Sequence, residues 1–426
     1  MSPSTIQPRA WEGICALAVW VLLTIATLLM SWPGWAFLLF PIPSLLIGLD
    51  ALGPRPLFVR WQVGLGAIGV RRLSAVLVAA ALAVGWLTLT APAPRSDQPP
   101  ILTCAARDLL RGMDPYQTYE PQCLALLHIN RAGVTPLEEG PFRNDTSYPR
   151  RAQLAAVLRR DQRDGGHAGF PAFGYPPDAA LLVLPVAWAG WLGISLWVAA
   201  MSALLLLAIW GWRFDRVAPL LAWQLLGLAL LWYLYRWNPE EISYLLLALA
   251  FARIDRVRVS ALALAGAVCS NPLAWPAALI YGAVLARDRR RRARLFWVVG
   301  AILVGTLPWL LFDHRLLGEL WTFVTLPEFP LGGSLGVLAP LPSHSHLVFE
   351  LGLLLGVGLA AAVAVRWPAW RWAMAVLVYG AFLLSWRGLL IYYTPVFWLS
   401  PAVVVGACRL TEKARSASAP LAAVSG

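Results

Sequence analysis

Lysine is almost absent from this chain. It occurs once, at Lys413, so nearly all of the 34 basic residues are arginine. Charge of either sign is scarce, at 13% of residues, against about 25% in a soluble domain. An ordinary soluble domain is excluded for most of the length. Cysteine is also sparse, with five in all, too few for a disulfide-built scaffold. There is no glycine-rich phosphate loop with its lysine. No HExxH, no Asp-x-Asp pair and no metal-type Cys/His cluster occurs either. Nucleotide-driven chemistry and metal-held nucleotide-sugar chemistry therefore lack their usual groups. Charge is nearly absent from the apolar runs as well. Glu12, Glu240, Glu241, Glu350 and Arg387 sit near run ends, which argues against a charged path through a bilayer midplane.

What is present is apolar length. Hydrophobic residues make up 59% of the chain, and mean hydropathy is +0.65. Runs fall at about 12–30, 34–50, 73–91, 179–212 (broken near Gly190–Gly193), 217–235, 239–252, 260–286, 295–312, 347–365, 372–386 and 389–408. About 20 apolar residues suffice for a helix to cross the hydrocarbon. The expected fold is an all-α polytopic integral membrane protein with about 11–12 spans. Cys15, Cys269 and Cys408 read as packing residues within these runs. Residues 14–30 read as an uncleaved first span, since no small-residue cleavage site follows.

The net charge of +12 reads as arginine gathered at cytoplasmic helix ends, not as a nucleic-acid surface. RDRRRRAR at 287–294, Arg366 with Arg371, and the tail from Arg409 mark the inside. Arg55, Arg60, Arg71 and Arg72 place 51–72 inside and 92–178 outside. Arg253, Arg256 and Arg258 look cytoplasmic too, yet simple alternation of the runs puts them outside. A re-entrant segment would resolve this, and Asn271–Pro272 is the plausible break. The expected divisions are an N-terminal hairpin and cytoplasmic segment at 1–72, a membrane module at 73–412 and a tail at 413–426. The module carries extracytoplasmic loops at 92–178 and 313–346.

The 92–178 loop holds nearly half of the acidic residues, and a connection of that length is functional, disordered or a small domain. Ala105–Leu110 reads as part of a short amphipathic helix able to lie on the membrane surface. Cys104 and Cys123 can pair if the loop lies outside the cytoplasm. A lipid-borne substrate at this interface needs a carboxylate as general base and cations where a leaving phosphate gathers charge. Asp97, Asp108 and Asp114 are the carboxylates; Arg107 and Arg111 lie four apart, on one face of a helix. Each has a plainer reading. Asp97 can be a solvated loop residue, Asp108 can pair with a neighbouring arginine, and Asp114 can form the turn before Pro115. His344 and His346 read as polar loop.

Three stretches in order carry a resemblance: AARDLLRGMDPY (105–116) preceded by Asp97, FGYPPDAALLVLP (173–185), and SWRGLLIYYTPVFWLSP (385–401). Over roughly 95–408 the chain resembles the polyprenol-phosphate-mannose-dependent mannosyltransferases, glycosyltransferase family 87 of the GT-C superfamily. That resemblance implies a GT-C fold and transfer of a sugar, mannose in the family, from a polyprenyl phosphate to an acceptor hydroxyl. The reaction takes place on the outer face of the plasma membrane, without metal or cofactor. It maps the family's base onto Asp97, and its turn and span-opening tyrosines onto Tyr116 and Tyr175. Where the family often has Gly-Gln, this chain has NPEEIS with Glu240 and Glu241. Asn271–Pro272 stands in place of Lys-Pro. Arg387 follows the Ser-Trp pair where acidic and His residues are common. The segment 12–50 looks like an addition. The implied partners are a polyprenyl-phosphate sugar donor, a lipid, glycan or protein acceptor, and membrane lipids. The substrate-binding candidates are Arg107, Arg111, Tyr116, Tyr175, Glu240, Glu241, Asn271 and Arg387. A lipid or polysaccharide-precursor transporter, or an inactive envelope-assembly scaffold, is the alternative.

Overall fold

The structure is a computed structural model. It describes residues 98–117, 173, 175–210, 238–286, 289–312, 346–367, 370–385, 390–400 and most of 402–410, with Leu17, Thr24 and Leu45. Among these, ordered structure is helical throughout. The helices are α1 Gln98–Leu110, α2 Asp178–Leu181, α3 Gly190–Trp210, α4 Glu240–Ala252, α5 Val257–Ser270, α6 Trp275–Ala286, α7 Arg289–Phe312, α8 His346–Arg366 and α9 Arg371–Leu377. The apolar helix Thr394–Ala407 is α10. Among the described residues, three segments are long and apolar enough to cross a membrane: Gly190–Ile209, Arg294–Leu311 and Val348–Arg366. Their outward faces carry the largest exposed side chains, among them Phe296 at 80% and Leu355 at 74% exposure. Apolar surface on that scale seeks lipid or another protein.

Two breaks organise the chain. Gly190 takes a left-handed φ of 66°, which glycine adopts without the steric cost of a Cβ. It reverses the path after α2 and the short turn Leu184–Val186. Trp197 Nε1 then donates to Leu182 O at 2.7 Å, closing α2 and α3 into a hairpin. The second break is Asn271, extended at φ −150° and ψ 122°, as a residue before proline prefers.

That second break falls where the sequence suggested one, and it divides the 260–286 run into two helices. Ser260 Oγ bonds the Tyr281 hydroxyl, a contact that a continuous helix would forbid at 21 residues' separation. So α5 and α6 are antiparallel. Ser260 Oγ also donates to Ala250 O at 2.7 Å, and Ser243 Oγ meets Ser270 Oγ at 2.7 Å, which makes α4 and α5 antiparallel as well. Residues 239–286 thus hold three helices where the sequence showed two apolar runs.

The arginines gather at one end. Arg253 donates through Nε to Ala208 O at 2.9 Å. Arg409 Nη1 reaches Ala252 O at 2.8 Å, and Arg294 Nη1 reaches Ile254 O at 2.7 Å. Ala208 and Ala252 lie in the last turns of α3 and α4, where acceptors are left unused and the helix dipole favours cations, and Ile254 lies just past the end of α4. At this end α10 also presses on α4. A Cβ on Gly406 would stand 2.2 Å from Phe251 O. Gly406→Ala is expected to destabilise the protein by about 1–3 kcal/mol through overpacking, read as a lower unfolding temperature in detergent.

Candidate functional site

The opposite end of the bundle collects polar groups from segments far apart in sequence. The first layer is α1. It does not lie free along a surface: Ile101, Leu102, Ala105 and Ala106 are buried. Its exposed edge carries Arg107 and Arg111, one turn apart as the sequence implied. Both guanidiniums lie over the exposed indole of Trp188, at 4.8 and 5.1 Å from the ring centre. Arg107 Nε donates to Ala187 O at 2.7 Å, which fixes the fork in place. Burial, then Arg111, hold the Arg107 guanidinium below its ordinary pKa. Two cations on one aromatic ring repel each other, and an anion placed against both relieves that repulsion.

Below α1 the chain turns through Gly112, at φ 69°. Asp114 Oδ1 accepts from Tyr116 N at 2.9 Å, the turn-forming role its position before proline suggested. The Tyr116 hydroxyl donates to Tyr175 O at 2.9 Å. Tyr116 packs on Phe173 at 5.4 Å, and Phe173 on Tyr175 at 5.9 Å. The two tyrosines predicted as site residues are thus brought together, and Tyr116 acts as a brace between the loop and the start of α2. Cys104 is disulfide-bonded; Cys123 lies outside the described residues.

Asp178 opens α2 three residues after Tyr175. Its Oδ1 accepts from Trp309 Nε1 on α7 at 2.8 Å. A Cβ on Gly305 would meet Cys269 Sγ at 3.0 Å and Asp178 Oδ2 at 3.1 Å, so Asp178 stands beside the end of α5. Cys269 is buried and free, as expected of a packing residue. Between α5 and α7 an open apolar groove of about 640 Å³ runs from Asp178 and Cys269 to Phe296, floored in part by Gly266 and Gly300.

The third group is the start of α4. Glu240 and Glu241 occupy its first turn, where the dipole favours carboxylates. They are buried, at 6% and 3% exposure, and sit at a helix end, where the sequence placed them. The Tyr244 hydroxyl donates to Glu240 Oε2 at 2.9 Å, and Trp398 Nε1 on α10 donates to Glu241 Oε2 at 2.7 Å. Asn271 faces the same Tyr244 hydroxyl, so three predicted residues share one cluster.

Tyr244 and Trp398 escaped the sequence reading. Tyr244 was detectable four residues after Glu240, on the same helix face. Trp398 is 157 residues from Glu241 and left no local signal. Asp97 and Arg387 lie outside the described residues. Among the described residues, no group of three metal-type side chains occurs. No protein-family model, curated protein or solved structure matches the chain.

Trp398→Phe removes the indole donor and keeps an aromatic ring of similar place. It is expected to cost about 1–3 kcal/mol, because a buried carboxylate loses its partner. Thermal unfolding of the purified protein in detergent reads this as a lower midpoint.

Proposed function

We propose that this chain is a membrane glycosyltransferase of the GT-C type. It takes a sugar from a polyprenyl phosphate and joins it to an acceptor hydroxyl on the extracytoplasmic side of the plasma membrane. One observation carries the reading. Segments 107–116, 175–188, 240–244 and 269–273 gather cations, tyrosines, carboxylates and amides at the end of the bundle opposite Arg253, Arg294 and Arg409. With the arginine end inside by the positive-inside bias, the polar end faces out. A disulfide at Cys104 fits an oxidising compartment.

The chemistry is a single displacement. Asp97 takes the proton of the acceptor hydroxyl, and that oxygen forms a bond to the anomeric carbon. The bond from the anomeric carbon to the phosphate oxygen breaks, its electron pair leaves with the polyprenyl phosphate, and configuration inverts. Arg107 and Arg111 meet the charge that grows on the leaving phosphate, with Arg387 as a further candidate. The apolar groove between α5 and α7 suits a prenyl chain, since its lining is carbon-rich and it opens toward the lipid side. No cofactor is required.

A lipid-precursor transporter is the second reading. What favours it is the burial of Glu240 and Glu241, because ionisable groups within a membrane bundle mark substrate pathways. Transfer assays separate the two. Purified protein given radiolabelled polyprenyl-phosphate mannose and membrane acceptors is expected to yield labelled product. Asp97→Asn is expected to lower the rate by about 100-fold or more, the range for losing a general base. Full transfer by well-folded Asp97→Asn would remove the assigned base. Movement of the lipid across proteoliposomes with no covalent product would favour the transporter.

A further inference from the structure

The cluster at the start of α4 contains more polar capacity than its own hydrogen bonds use. Asn238 Oδ1 accepts from Glu240 N at 3.2 Å, and Asn271 Oδ1 accepts from Leu273 N at 2.8 Å. These two bonds settle the amide orientations, because the reversed amides would set an NH2 group against a backbone N–H. The Nδ2 groups of both asparagines therefore point away from those backbone donors. Asn238 Nδ2 has no hydrogen-bond partner, and Asn271 Nδ2 is left facing the Tyr244 hydroxyl, which already donates to Glu240; Asn238 is 0% and Asn271 1% exposed. Buried donors in folded proteins are almost always paired, and an apolar bundle offers them no water in bulk.

The donor set narrows what can complete it. Two carboxylates in the same cluster repel a phosphate. A metal or alkali cation would take the amide oxygens as ligands, yet both amide oxygens are turned to backbone N–H groups, leaving N–H donors in their place. A neutral hydroxyl satisfies both sides at once, since its O–H donates to a carboxylate and its oxygen accepts from an amide N–H. Asn238, Glu240, Glu241 and Asn271, with the Tyr244 hydroxyl between Glu240 and Asn271, offer several such pairings within one cluster. A group with several adjacent neutral hydroxyls is a sugar ring.

We infer that the Asn238–Glu240–Glu241–Tyr244–Asn271 cluster is a binding site for the hydroxyls of a neutral sugar. The inference rests on the transferase reading for the reason a sugar should be present, and on the buried amide donors for the site itself. The sugar is that of the lipid donor, or that of a glycan acceptor.

Three probes test it by equilibrium binding to the purified full chain in nanodiscs: a polyprenyl phosphate, the same carrier bearing mannose, and methyl mannoside. The mannosylated carrier is expected to bind at least about tenfold more tightly than the bare one, a modest gain for a few added hydrogen bonds. Glu240→Gln, Asn271→Asp and Tyr244→Phe are each expected to reduce that preference while bare-carrier binding stays as in the wild type. Retained bare-carrier binding also shows that the variants are folded. If the cluster serves the acceptor, the two carriers bind equally, methyl mannoside binds saturably, and the same variants abolish mannoside binding. Equal carrier binding without mannoside binding overturns the inference and leaves the transferase reading standing. So does a preference that survives all three substitutions. Mannoside binding with no binding of either carrier sinks the transferase reading and keeps the sugar site. Binding of none of the probes sinks both.

Discussion

Glu240 and Glu241 begin a helix inside an apolar bundle, and much of the polar end is arranged around that fact. A buried carboxylate is tolerated only where donors meet it. Here the helix dipole, the Tyr244 hydroxyl and the Trp398 indole supply them. Meeting that demand ties α4 to α10 directly. Asn271, which faces Tyr244, ties α4 to the break between α5 and α6. The break in turn lets the chain reverse. Its Leu273 carbonyl accepts from Tyr379 at 2.8 Å, which anchors the turn following α9 at the same end. One polar cluster thereby fixes the height of several helices.

The other end is governed by the complementary rule. α3 and α4 finish with carbonyls that have no partner within the helix, and Arg253 and Arg409 close them. Both residues hold helix ends together by their forks. Between the two ends the contacts are small-residue packing, serine bridges and aromatic edges, such as Phe251 against Tyr281 at 5.2 Å. Tightly packed small residues are how helices associate when lipid offers no hydrophobic driving force. The result is an asymmetric bundle, with arginines on helix-end carbonyls at one end and a mixed layer of cations, carboxylates, hydroxyls and amides at the other.

The helices themselves were legible, because long apolar runs leave few other structures open. Gly190 as a break was legible too, since it sits in a Gly-rich interval within a long apolar stretch. The hairpin at Asn271 was half legible. The Asn-Pro pair was visible, but 260–286 is long enough for one tilted span, and only the Ser260–Tyr281 contact decides between them. Pairing of Tyr116 with Tyr175 followed from their shared polar loop in outline, whereas the bond from hydroxyl to carbonyl did not. The burial of Glu240 and Glu241 was not legible for a physical reason: hydropathy places a charge by its distance from a run's end and cannot see the helices packed around it. Trp188, reached by two arginines from another helix, and Trp398 were beyond any local pattern.

The central claim is that the polar end receives a lipid-linked sugar phosphate. Native mass spectrometry of the protein, released from detergent after incubation with a polyprenyl-phosphate mannose and an equal amount of bulk phospholipid, tests it most directly. The account predicts a one-to-one adduct of the mannosylated carrier that survives activation energies at which phospholipid is stripped. Loss of the carrier together with phospholipid, with no preference between them, would contradict it.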